Sequence, residues 1–155
     1  MESNTDHYED LENLQLECHK QTKDAAKNYE ESIELFSHLQ DLIESTLINS
    51  FDLKSDEMIL SSLLIELDKR IDLNADLALK FYECRKKEIL VCLSIYKKLH
   101  QLPKEYLIEL FYELKGDLEE IESEKFPDDP TYDEEYIYKI RNQYKRVERV
   151  LRKRS

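Results

Sequence analysis

From about Thr5 to Ser50, apolar residues recur at Leu11, Leu14, Cys18, Ala25, Tyr29, Ile33, Phe36, Ile43 and Leu47, with Thr22 and Gln40 filling two gaps. The spacing averages close to the 3.6-residue period of a straight helix, and nothing in the run breaks it, so one long helix is predicted. Lys20, Lys23, Lys27, Glu30, Glu34 and Asp41 fall on its opposite, wet face. Asn49–Ser55 is a turn, with Asp52 or Ser55 as the cap of the next helix. That second helix runs from about Asp56 to Gln101 through Leu60, Leu64, Leu67, Ile71, Ala75, Ala78, Phe81, Ile89, Cys92, Tyr96 and Leu99. Asp72–Asp76 carries residues able to cap a fresh helix, so a kink or break there is one reading.

Pro103 suits the first turn of a third helix, which reaches about Lys125 on a stripe of Leu107, Leu110, Leu114, Leu118 and Ile121, with Phe111 beside it. Gly116 lies inside, marking either a close helix contact or a bend. Residues 126–131 (FPDDPT) are a linker, and Thr131 with Glu134 reads as a capping box. The last helix repeats Ile137, Ile140, Tyr144, Val147 and Leu151 in a strict three-four alternation.

These elements predict an all-α fold: an elongated antiparallel helical hairpin partly thickened into a four-helix bundle. By domain, 1–125 is a three-helix acidic body, 126–131 the linker and 132–155 a basic amphipathic helix. Helices three and four reach only about 33 Å at 1.5 Å per residue, against roughly 65–70 Å for the first two, so one end of the hairpin is expected to stay two helices thick. Composition agrees. A single glycine in 155 residues excludes glycine-rich phosphate loops, and one glycine with three prolines is too little turn chemistry for a sandwich or barrel.

Charge is segregated. The net −12 conceals a basic end, 139–155, with eight Lys or Arg against Glu148 alone, while 117–138 holds ten acids against Lys125. Cys18, Cys84 and Cys92 are too few for a disulfide framework. No signal-peptide pattern opens the chain and no apolar run approaches the ~18 residues of a membrane span, so a nuclear or cytoplasmic protein without a membrane partner is expected.

Residues able to carry chemistry are sparse. No Glu-x-x-His pair surrounds His19, His38 or His100, and the cysteines lack the spacing of a zinc site, so neither a metal, a cofactor nor a catalytic group is assigned. The informative stretch is 89–96, apolar around almost the whole helix, which must be covered on several sides by this chain or by another protein.

The leading expectation is therefore a non-enzymatic interaction subunit or adaptor in a larger, nuclear multi-protein assembly. Its partner-binding candidates are Ile89, Val91, Leu93 and Ile95, with Ile140, Tyr144, Val147 and Leu151 on the last helix. The partner is expected to be a helical protein, and self-association into a homo-oligomer is compatible with the same faces. Lys139, Lys145, Arg149 and Arg152 form the basic face. Three uses of that face compete: pairing with the acidic segment 117–124 and the body's own carboxylates, weak nucleic-acid contact through 139–155, and docking in a partner's groove. The alternative function is an acidic charge-based regulator or chaperone that occupies a basic surface of a nucleic-acid-binding protein.

Overall fold

The computed structural model describes residues 4–49, 52–123 and 134–154. Four helices occupy them: α1 (Asn4–Ile48), α2 (Leu53–Gln101), α3 (Lys104–Glu122) and α4 (Glu134–Arg154). The expected all-α fold is what forms. The predicted linker and the Thr131 capping box lie outside the described residues.

Of the two predicted caps for α2, Asp52 is the one used. Its carboxylate accepts from Lys54 N at 3.1 Å, while Asp56 Oδ2 accepts from Asp52 N at 2.7 Å, a reciprocal arrangement that satisfies two donors at the helix start. There is no break at Asp72–Asp76: α2 runs through it unbroken. Asn74, within that segment, accepts a hydrogen bond from Ser32 Oγ of α1. Gly116 marks no close contact, since a Cβ there would meet nothing within 4 Å, and α3 runs through it to Glu122.

The chain divides into two compact units. The first, Met1–His19 with Lys87–Ser155, holds the start of α1, the end of α2, and α3 and α4. Ile95, Leu99, Leu102, Leu107, Val147 and Val150 are fully or almost fully buried there, with Val91, Leu110, Leu114 and Ile140 around them. Each such aliphatic side chain contributes roughly 1.5–3 kcal/mol when withdrawn from water. We call this the bundle unit.

The second, Lys20–Lys86, contains only the remaining lengths of α1 and α2, packed as an antiparallel hairpin. Its inward positions on α1 are Thr22, Ala25, Tyr29, Ser32, Phe36, Leu39, Ile43 and Thr46; on α2 they are Leu60, Leu63, Leu67, Arg70, Asn74, Leu77, Phe81 and Cys84. Both series alternate by three and four residues, the 3.5-residue repeat of a two-helix seam. This corrects the 3.6-residue stripe predicted from sequence. The seam takes Ser32, Arg70 and Asn74, and leaves Ile33, Leu47, Leu64 and Ile71 outside it.

Candidate functional site

Helix α4 is held in the bundle unit by a line of polar residues on α1. Tyr8, Glu12, Gln15 and His19 are spaced by four, three and four residues, which places all of them on one side of the helix. Glu12, fully buried, forms a two-point ion pair with Arg146 of α4, through Nε at 3.3 Å and through Nη2. Gln15 Nε2 donates to Tyr138 Oη at 3.0 Å and reaches Glu88 Oε1 of α2 at 3.4 Å. His19 Nδ1 donates to the same Glu88 oxygen at 3.2 Å, and its ring stacks on Tyr138 with centroids 3.9 Å apart. Gln143 Nε2 donates to Glu9 Oε1 at 3.4 Å, and Lys139 Nζ to Asn13 Oδ1 at 2.9 Å.

The electrostatics follow from burial. Withdrawal from water raises the Glu12 carboxyl above the ordinary range, against the opposing pull of Arg146. Burial, reinforced by the nearby Glu12 charge, holds the Tyr8 phenol firmly protonated, and Tyr138 is also raised, chiefly by burial. A carboxylate and a guanidinium both dry and both two-point bonded fix one register of α4 on α1; removing either would strand the other. The cluster's observable role is to position a helix.

The predicted partner-binding residues divide sharply. Val91, Ile95, Ile140 and Val147 lie in the core of the bundle unit, where they join α2 and α4 of this chain and present nothing outward. Tyr144 and Leu151 are half-buried against the same core, with the Tyr144 ring stacked on Phe111 of α3 at 5.2 Å. Ile89 and Leu93 are exposed, together with Leu90. The inward face of α4 is rotated from the predicted one: its buried series is Ile140, Gln143, Val147 and Val150, with Arg146 beside it.

Much of the basic face is engaged within the chain, in part with the body's own carboxylates. Lys139 lies 3.8 Å from Glu9, the Arg149 guanidinium sits 5.9 Å from the Tyr96 ring centroid, and Arg152 pairs with Glu148 on its own helix. Lys145 is exposed. Arg154 donates to the Leu102 carbonyl at 2.7 Å, closing the C-terminal end of α2. Open grooves of about 250 and 390 Å³ flank α4, one along Leu93, Tyr96, Arg149 and Val150, the other along Ile108, Phe111, Tyr112 and Leu151.

The hairpin unit is a different kind of surface. Among its described residues, no large apolar side chain is fully buried; Ala25, Thr22 and Ser32 are the buried positions. Ile33, Leu35, Leu42, Leu47, Ile59, Leu64, Ile65, Ile71, Leu73 and Leu79 are all exposed.

Sequence reasoning missed Glu12, Arg146, Gln143 and Glu88, because charged or amide residues on an inward face look like interruptions of a stripe. One signal was present: Gln143 and Arg146 sit between Ile140 and Val147 on the apolar side of α4. No group of three metal-ligating side chains is found among the described residues. No helix among them is long and apolar enough to cross a membrane.

Compared with known proteins, the chain matches no family model, no curated protein and no solved structure.

Proposed function

We propose that this protein is a non-enzymatic helical interaction subunit, which binds partner proteins in a larger assembly of the nucleus or cytoplasm. One observation carries the reading. The hairpin unit exposes aliphatic residues along both helices while burying no large one fully, so much of its apolar surface remains open to another chain. Ile89, Leu90 and Leu93 extend the same character to the outer side of α2 in the bundle unit. A nucleic-acid role for 139–155 gains less support, since Lys139, Arg146, Arg149, Arg152 and Arg154 already have partners in the chain.

The test is affinity capture from native extract at about 0.4 M salt, where exposed charges are screened within about 5 Å. A stoichiometric partner retained at that salt, and lost with the Ile89→Asp/Leu93→Asp or the Leu64→Asp/Ile71→Asp variant, supports the proposal. Capture that occurs only at low salt would overturn it in favour of a charge-based regulator.

A further inference from the structure

We infer that one side of the hairpin unit, marked by Ile33, Leu47, Leu64 and Ile71, is the seat of a basic amphipathic helix supplied by a partner protein. The inference deepens the interaction-subunit reading and rests on it.

The chain itself shows what such a seat takes. In the bundle unit, the residues of α1 that meet α4 include Glu12 and His19, which immediately follow the inward positions Leu11 and Cys18. The equivalent positions in the hairpin unit follow Ser32 and Thr46, and they are Ile33 and Leu47, both exposed. On α2 the positions that follow Leu63 and Arg70 are Leu64 and Ile71, again exposed. The Ser32–Asn74 and Arg70–Ser32 hydrogen bonds set the register so that Ile33 and Ile71 stand opposite one another on the same side of the seam. A two-helix coil that ends as two helices carries charged residues at such flanking positions; aliphatic ones are what a third helix covers.

Charge selects the occupant. Between Glu30 and Asp68 the chain holds ten acids against Lys54 alone. Glu30, Glu44, Glu57 and Asp68 are exposed on the same side of the helices as the aliphatic strip. A second copy would bring the same excess of negative charge against this one, which opposes self-association on this face. A helix with an aliphatic stripe between Lys and Arg rows matches both features. Helix α4 is of that class, and it is what the chain packs on the corresponding side of its own bundle unit.

The experiment titrates the full chain into two fluorescent synthetic helices of about twenty residues, with identical leucine stripes at three-four spacing and either Lys/Arg or Glu elsewhere. The basic probe should bind at least about ten-fold tighter than the acidic one at 0.1 M salt. Leu64→Asp with Ile71→Asp should cost at least about ten-fold, with the helical circular dichroism retained. Glu57→Lys with Asp68→Lys should weaken the basic probe and flatten its salt dependence. Equal affinity for the two probes, or binding unchanged by both pairs of substitutions, would overturn the inference. So would sedimentation showing self-association that the aspartate pair abolishes, because the occupant would then be a second copy. Salt-resistant capture from extract that survives Leu64→Asp/Ile71→Asp but not Ile89→Asp/Leu93→Asp would remove this seat alone and leave the broader function standing.

Discussion

The same two helices, α1 and α2, meet two different fates along their lengths. In the bundle unit their apolar residues are covered by α3 and α4, and Tyr8, Ile95 and Leu99 lose all contact with water. In the hairpin unit, among the described residues, the two helices pack on each other, the seam is filled in part by Thr22, Ser32, Arg70 and Asn74, and aliphatic residues remain outside. Helix propensity alone does not separate the two regions, since both are uninterrupted helix. What separates them is the number of neighbours available to bury a face, which makes one region a filled core and leaves the other with its aliphatic residues exposed.

Breaking the filled side should cost most. Val147→Asp places an unpaired charge in a fully dry site, and we expect loss of more than about 4 kcal/mol, read as collapse of the thermal transition. Leu64→Asp, the matched change on the open side, should leave the free chain's transition almost unmoved. Glu12→Gln should cost about 3–5 kcal/mol by stranding Arg146, whereas Glu12→Met with Arg146→Leu should return close to the parent stability in denaturant titrations.

The buried phenol gives a pH signature confined to the bundle unit. Tyr8 has its folded value raised far above the unfolded one, so its contribution is whole below about pH 10 and is lost as pH climbs past that value. Alkaline unfolding, followed by tyrosinate absorbance and circular dichroism together, should therefore be shallower in Tyr8→Phe. Coincident curves for parent and variant would remove Tyr8 from this role.

Smaller effects sharpen the comparison from each side. Asp52→Ala should cost about 1 kcal/mol by deleting the α2 cap. Gly116→Ala, in α3 with open space for a Cβ, should stabilise the bundle unit by about 0.5–1 kcal/mol.

The helices themselves were plain in the sequence. The long uninterrupted apolar periodicity, Pro103 and the turn before Asp56 place all four within a few residues of where they form. The inward face was not, because periodicity searches select the most apolar residue on each turn. Here Ser32 and Asn74 are inward while Ile33 and Ile71 are outward, an inversion that only packing against a second helix at a 3.5-residue repeat reveals. The Glu12–Arg146 pair was hidden for another reason: its members are 134 residues apart, and each alone reads as solvated charge. The expected broad apolar face at 89–96 was right about composition, yet half of its named residues serve the internal core.

Amide hydrogen exchange read by mass spectrometry, on the full chain alone and saturated with the basic probe helix, tests the contrast between the units most directly. Strong protection is expected in 87–101 and 134–154 of the free chain, with markedly faster exchange in 30–68 and slowing in 30–68 when the probe is bound. Equal protection along α1 and α2 in the free chain, unchanged by the probe, would contradict that contrast: the hairpin unit would then be complete as it stands.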